Sequence, residues 1–376
     1  MSFAAVERAM DDAVAAGAFP GVVVLVNVAG ETVFLRAAGL RALDDPASPM
    51  REETIFDLAS LTKPLATATA MMVMVRERKI SLDDRLTRFF HNFGVHGKTH
   101  VTFRHLLANT SGLPGWRPYY KDVLRTERAG RINFTASSGA KEFVYEAIQR
   151  EKPECPPGAR TIYSDLGFIL LGAAIEQVSG LTLDRYCHEK IFRPLGLRST
   201  SFVDLSSLRT RRLELIPEMI APTERCPWRE RVLCGEVHDD NAYAMGGAAG
   251  HAGLFSCARD IDRLATTLRE SYEGQNVFLP PSVVREFWRR DDPVGSSSWA
   301  LGWDTPSPKD STAGELISRH AVGHVGFTGT SLWIDLDRRA HVIVLSNRVH
   351  PSRDNDRIRD VRPRLHDLVF QALDAR

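Results

Sequence analysis

Apolar positions cluster at the two ends of the chain in runs that suit β-strands. Gly21-Val22-Val23-Val24-Leu25-Val26-Asn27-Val28 and Thr32-Val33-Phe34-Leu35-Arg36-Ala37 are rich in β-branched residues. Ala29-Gly30-Glu31 separates them, so the pair predicts a hairpin. Ser331-Leu332-Trp333-Ile334-Asp335-Leu336 and His341-Val342-Ile343-Val344-Leu345-Ser346 predict a second hairpin across Asp337-Arg338-Arg339. A helix capped by Ser2, with Phe3, Val6, Met10 and Val14 on its apolar face and Gly17 and Pro20 as stop signals, leads into the first hairpin. A last helix carrying Ile358, Val361, Leu365, Leu368, Val369 and Leu373 at helical spacing follows the second.

Between the hairpins the apolar period is mostly helical, over Thr102 to Ala108, Ser164 to Val178, Thr182 to Phe192 and Ser256 to Leu268. The expected fold class is α+β: an antiparallel sheet from both chain ends, flanked by helices, with a mainly helical lobe inserted. The corresponding division is residues 1–62 with 298–376 for the sheet lobe and 63–297 for the helical lobe. Asp204 to Gly235 breaks the pattern, with Pro217, Pro222, Pro227 and the basic run Arg209-Thr210-Arg211-Arg212, and is expected to be a long loop over the cleft between lobes.

One apolar stretch begins with a chemical motif. Ser60-Leu61-Thr62-Lys63 opens the segment Pro64 to Val75, apolar on nearly every side and therefore expected to be a buried helix. Residues i and i+3 share a helix face, so Lys63 lies beside Ser60. A serine hydroxyl keeps its proton at neutral pH, and an adjacent amine held neutral is a sensible activator. Ser138-Gly139-Ala140-Lys141 has the same spacing but sits in a run of small polar residues that reads as a loop and helix cap.

Two more motifs carry chemistry. Tyr163-Ser164-Asp165 stands at the start of an apolar helix, where a phenol can exchange protons with Ser60 and Lys63, whereas Tyr120-Lys121-Asp122 has no such helix behind it. His324-Val325-Gly326-Phe327 precedes the last hairpin, where Gly326 lets a substrate lie against a strand edge and an exposed N–H can face a developing oxyanion.

Composition narrows the setting. The 376 residues are 43% hydrophobic and 25% charged with a formal net charge of +1, which gives no electrostatic case for nucleic acid or an anionic membrane. A small-molecule or peptide-like substrate suits this balance, and the oligomeric state is not legible. The acidic N-terminus does not resemble a signal peptide. Cys155, Cys187, Cys226, Cys234 and Cys257 form an odd set without a C-x-x-C pair, so a cytoplasmic location and no disulfide framework are expected. His238 and His251, with Asp239 and Asp240 nearby, lack a helix-phase ligand pair, so they read as cleft lining or turn residues and no metal is expected.

In this order, Ser60-x-x-Lys63, Tyr163-x-Asp165 and His324-x-Gly326 resemble the signature of the serine β-lactamase and penicillin-binding-protein superfamily, S-x-x-K, then Y-x-N or S-D-N, then K-T-G. The branch with class C β-lactamases, D-aminopeptidases, DD-carboxypeptidases and serine esterases is the most similar. Leu106 to Pro114, Pro194 to Leu197, Gly253 to Ser256 and Ala300 to Trp303 also resemble its intervening segments. The resemblance implies a cofactor-free serine hydrolase working through an acyl-enzyme on an ester, amide or cell-wall-derived substrate. A D-aminopeptidase, DD-carboxypeptidase, muropeptide amidase or weakly catalytic penicillin-binding sensor is the alternative. It makes Ser60 the nucleophile, gives Lys63 and Tyr163 the acid and base work, and assigns the oxyanion to the N–H groups of Ser60 and Phe327. Asp165 and His324 depart from the usual Asn and Lys. A carboxylate cannot donate to a substrate carbonyl, and a largely neutral imidazole offers a substrate carboxylate less charge, so both changes point away from an efficient β-lactamase.

Overall fold

The β-branched runs from opposite ends of the chain pair with each other. A computed structural model describes residues 2–205, 217–292, 295 and 297–375. Its strands are β1 (Gly21–Val28), β2 (Glu31–Gly39), β3 (Phe56–Asp57), β4 (Ser201–Phe202), β5 (Arg225–Cys226), β6 (Arg231–Val232), β7 (Leu254–Ser256), β8 (Ala321–Val325), β9 (Ser331–Asp335) and β10 (Ala340–Ser346). The main sheet is antiparallel in the order β2-β1-β10-β9-β8, with Val24 opposite Val344 and Arg36. Ala29 and Gly30 close the first hairpin with φ of 55° and 99°, the paired left-handed conformation whose twist suits a two-residue turn.

β1 reads as an unbroken apolar run because both of its faces are covered. Val22, Val24 and Val26 join one core with the terminal helices Ala4–Ala15 and Ile358–Asp374, while Val23 and Leu25 face the larger core. The first helix lacks the expected Ser2 cap: Phe3 occupies the cap position and its ring packs on Phe34. The helix Ala258–Glu273 covers the opposite face of the sheet, where Asp262 accepts from Asn27 Nδ2 at 2.8 Å and pairs with His341 Nε2 at 2.7 Å. It belongs by position to the sheet, although the sequence division set it with the helical residues.

β8 was not among the expected strands. Its Gly323 breaks the alternation, and the reason is steric: a Cβ there would lie 2.4 Å from the Trp333 ring on the neighbouring strand. The helices Tyr119–Arg128, Ser138–Arg150 and Pro281–Trp288 also add to those read from the period.

The segment after Ser60 is the buried helix expected, but not a regular one. A single 3₁₀ turn, Ala59–Leu61, passes into a π-helical stretch, Lys63–Ala68, and then into the α-helix Thr69–Arg76. Thr69 Oγ1 donates to Pro64 O at 2.9 Å, satisfying a carbonyl in this widened turn. Against it packs Asp165–Ser179, whose N-cap Ser164 accepts from Gly167 N.

The expected loop from Asp204 to Gly235 is only partly described, and Arg209 to Arg212 lie outside the described residues. Its second half is ordered as the β5–β6 hairpin. Trp228 is not free to meet a ligand: it stacks on Tyr120, meets Tyr243 edge-on and donates to Asp240 Oδ1 at 2.9 Å.

Gly250 brings the loop Gly246–Gly253 onto the helix Asp165–Ser179. A Cβ at Gly250 would sit 2.0 Å from Phe168 O, and one at Gly172 would sit 3.1 Å from Gly250 Cα. Gly250→Ala is therefore expected to destabilise the protein by about 1–3 kcal/mol, the cost of overpacking a close contact. A urea midpoint equal to that of the wild type, with unchanged slope, refutes this account of the contact.

Candidate active site

Ser60 sits where three backbone segments converge. Ala59, just before it, holds φ at 47°, a left-handed conformation that costs a non-glycine residue of order 1–3 kcal/mol. The neighbours over-determine it. Asp57, buried, accepts from Ala59 N at 2.8 Å and from His238 N at 2.6 Å. Leu58 N donates to Leu254 O at 2.9 Å, while Thr328 Oγ1 and Thr330 Oγ1 donate to Asp57 O and Leu58 O at 2.7 and 3.0 Å. Gly326 completes the junction: a Cβ there would lie 2.4 Å from Leu58 O and 2.1 Å from Thr330 Oγ1. This glycine admits the backbone that carries Ser60.

Lys63 lies fully buried beside Ser60. Its Nζ donates to Ser60 Oγ at 3.0 Å and to His251 O at 3.1 Å, and it is 2.7 Å from Asp165 Oδ1. Burial works against the ammonium, but Asp165 and Tyr163 outweigh it and hold the amine protonated well above its ordinary range. The expected neutral amine is thus replaced by an ion pair, because Asp165 stands within contact distance of it.

The Tyr163 ring lies 5.0 Å from Lys63 Nζ. Burial and the Asp165 charge raise its pKa, against the opposing pull of Lys63, so the resting phenol keeps its proton. The ring stacks on Trp299 at 5.2 Å. The segment Leu106 to Pro114 fixes this tyrosine: Asn109 O and Oδ1 accept from Ile162 N and Ser164 N, and Pro114 O accepts from Ser164 Oγ at 2.7 Å. Asn109 does so with φ of 58°, a conformation asparagine tolerates well. The polar run Asn109-Thr110-Ser111-Gly112 was the available signal of that role.

His324 is 3% exposed on β8, with Nδ1 against its neighbour's carbonyl, Val325 O, at 2.8 Å and Nε2 without a partner. Burial, reinforced by Lys63, lowers its pKa to about 3. It therefore stays neutral across ordinary pH, and the charge switch near pH 6.5 that an exposed imidazole offers does not operate here. With Nδ1–H donating, Nε2 is an acceptor. Next along the chain, Phe327 O accepts from Arg348 Nε at 2.8 Å, and the exposed Phe327 ring lies between the Arg348 guanidinium and the His238 ring. Among the described residues, neither the Phe327 N–H nor the Ser60 N–H has a hydrogen-bond partner.

Of these groups, Ser60, Tyr163, Asp165 and Phe327 line a cavity of about 290 Å³, and Lys63 and His324 lie buried behind it. Ser60, Tyr163 and Asp165 line one part of it; Trp116 and Phe327 present aromatic surface; and His238, Asp239, Asp240, His251 and Arg353 complete the lining. The two histidines and the aspartates beside them thus line the cleft, as read from the sequence, whereas Trp116 and Arg353 were not anticipated there. Among the described residues no group of three or more His, Cys, Asp or Glu side chains is arranged to hold a metal ion. The similar motifs elsewhere do other work: Lys141 pairs with Glu176 at 2.9 Å, and Ser137 caps the helix that starts at Ser138.

The Beta-lactamase family profile matches residues 6–364. A protein of Escherichia coli K12 named "Putative D-alanyl-D-alanine carboxypeptidase" is 33% identical over 360 residues, covering 88% of this chain and 79% of that protein. Among solved structures, the octameric penicillin-binding protein homologue of Pyrococcus abyssi superposes with a TM-score of 0.72 at 21% identity, over 100% of this chain and 77% of its own. The hydrolase EstCE1, described as having promiscuous acyltransferase activity, gives 0.69 at 23% identity over 95% and 97%. At these identities the two structures show the shared fold, while the profile and the 33% relative show the family. With a serine three residues before a buried lysine at the head of the central helix, the chain belongs to the beta-lactamase family of serine hydrolases.

Proposed function

We propose that the protein hydrolyses esters or amides whose scissile bond has no carboxylate beside it, through an acyl-enzyme on Ser60. The observation that carries this reading is the charge matching at the cavity wall and directly behind it. Lys63 is answered by Asp165, Arg353 by a bidentate contact to Glu224 and by Asp240, and His324 is neutral. Among the described residues of the wall no cation is left unmatched for an anionic leaving group. The name carried by the 33% relative implies a substrate ending in a carboxylate, which this wall does not favour; an alcohol or amine leaving group suits it better.

In this reading Ser60 Oγ attacks the carbonyl, and the Ser60 and Phe327 N–H groups receive the oxyanion. Tyr163, as phenolate, takes the Ser60 proton and then protonates the leaving group; water repeats the sequence in reverse for deacylation. Lys63 remains an ammonium and stabilises that phenolate. Asp165 competes for the same ammonium, so it disfavours the active phenolate and keeps the resting phenol protonated.

Ser60→Ala is expected to abolish turnover and any covalent adduct in intact-mass spectra, whereas Ser138→Ala is expected to be silent. Lys63→Ala and Tyr163→Phe are each expected to lower kcat by about 10² or more, the scale of a positioned acid or base. Tyr163→Phe turning over like the wild type at every pH removes the phenol from the mechanism.

Removing the Asp165 charge withdraws an influence that raises the Tyr163 pKa and leaves Lys63 free to lower it. Asp165→Asn is therefore expected to move the rising limb of kcat/KM to lower pH by about one unit or more. Loss of activity at all pH values would instead identify Asp165 as the proton acceptor. A peptide methyl ester or amide is expected to acylate faster than the same peptide with a free terminal carboxylate. The opposite order, measured by adduct formation, sinks the substrate reading.

A further inference from the structure

Two guanidiniums contact the main chain on either side of Phe327, and among the described residues neither has a carboxylate partner. Arg348 is held by carbonyls: Nε donates to Phe327 O at 2.8 Å, and Nη1 donates to Arg353 O and Asn355 O at 2.9 and 2.6 Å. Arg362, on the terminal helix Ile358–Asp374, is 7% exposed and has far less. Its Nη2 reaches Gly326 O at 3.4 Å, and its Nε is buried without a partner. Burial and Arg348 both work against the cation and lower its pKa to about 10, so it is still charged at ordinary pH. Neither arginine is part of the cavity lining.

A buried charge without a counter-charge costs stability, and a contact at 3.4 Å returns little of it. A guanidinium bears this better than an ammonium, because its charge is spread and more weakly hydrated. Where the charge sits gives it a use. The Gly326 carbonyl belongs to the same planar trans peptide unit as the Phe327 N–H, so the two point in opposite directions. Arg362 therefore pulls on the carbonyl end of a unit whose N–H has no partner among the described residues and is assigned above to the oxyanion. Gly329 N holds the same carbonyl at 3.1 Å, so Arg362 adds charge to a peptide that a turn already orients. That charge is felt on β8, where, after burial and Lys63, it helps to keep the His324 imidazole neutral.

We infer that Arg362 is a positioning residue for the oxyanion site: acting through the Gly326–Phe327 peptide, its unmatched guanidinium polarises the Phe327 N–H toward the negative charge that forms on the substrate carbonyl oxygen. The cation lacks a counter-charge in the resting protein and gains one when that oxygen becomes anionic. Its interaction is thus stronger in the transition state than before it, which is the condition for lowering a barrier. This rests on the acyl-serine reading above and deepens its oxyanion site. The covalent step is unchanged. As the bond from Ser60 Oγ to the carbonyl carbon forms, the carbonyl π pair moves onto oxygen and the Ser60 proton passes to Tyr163; the pair returns as the leaving-group bond breaks.

The test compares kcat/KM for p-nitrophenyl acetate and for its thiono analogue, in which the carbonyl oxygen is sulfur, a weak hydrogen-bond acceptor. Arg362→Met places an apolar side chain of similar length in the buried position and is expected to fold, since it removes a charge that has no counter-charge. It is expected to lower kcat/KM for the acetate by about tenfold, short of the 10²–10³ lost with an oxyanion donor itself. The thiono ester is expected to lose less, so the ratio of the two falls severalfold. That ratio, taken on one sample, does not depend on the folded fraction. Arg362→Gln is expected to behave like Arg362→Met, whereas Arg362→Lys, which retains the charge, is expected to keep most of the wild-type ratio. A ratio unchanged in both neutral variants overturns the inference, and so does Arg362→Lys falling as far as Arg362→Met. Failure of both neutral variants to fold assigns Arg362 to the fold and overturns it as well. Absence of any Ser60 adduct with p-nitrophenyl acetate in the wild type is a different failure, that of the acyl-serine reading itself.

Discussion

A charged lysine at the centre of an apolar core is the constraint around which the site is arranged. Lys63 is fully buried, and an unpaired ammonium in such a place is not tolerated; removing one partner from a buried ion pair typically costs about 3–5 kcal/mol. Every neighbour of Nζ is therefore fixed by the need to satisfy it. Asp165 supplies the counter-charge, Ser60 Oγ and His251 O supply acceptors, and the Tyr163 ring lies 5.0 Å from it. These four groups come from three separate stretches of chain, so satisfying one cation draws the chemistry together. The same pairing sets the protonation pattern, because an ammonium held by a carboxylate cannot serve as the resting base.

Close backbone approach does for the frame what the cation does for the side chains. Gly326 lets the β8–β9 connection touch Leu58, and Gly250 lets the loop bearing His251 touch Phe168. Both approaches are shorter than any Cβ permits, and both end next to a group that faces the cavity. Hydroxyls then pin the approach, from Thr328 and Thr330 on one side and from Thr67, which donates to Gly250 O at 2.7 Å, on the other. The strained Ala59 is sustained by this network, in keeping with backbone strain being stored where a site is built.

The wall beyond the nucleophile is set by charge bookkeeping across loops. Glu224, on the chain leading to β5, is held near pKa 2 by His238 and Arg353 against the effect of its own burial. Its carboxylate is ionised above that point, so this link weakens only as pH falls through about 2 and persists at ordinary pH. Arg229, buried, bonds Val237 O and His238 O and pairs with Asp240. The segment expected to be a long loop over the cleft is, in its described second half, bolted to the wall by these contacts.

Much of this protein is legible without coordinates. Local rules suffice for the two hairpins, the terminal helices and the α+β class, because alternation and helical period are imposed by which face each residue buries. The motif pairs are legible too: Ser60 with Lys63 and Tyr163 with Asp165 are each three or fewer residues apart, and a helix start places them on one side. What tertiary structure decided is the electrical state of those groups. That Lys63 is charged follows from Asp165, 102 positions later in the chain, arriving 2.7 Å away. That His324 is neutral follows from burial beside Lys63, and a sequence carries no measure of burial depth for one histidine. β8 escaped notice because Gly323 is fitted to a tryptophan on the next strand. Period and spacing are properties of neighbours along the chain; desolvation and charge pairing are properties of neighbours in space, and only the fold assigns those.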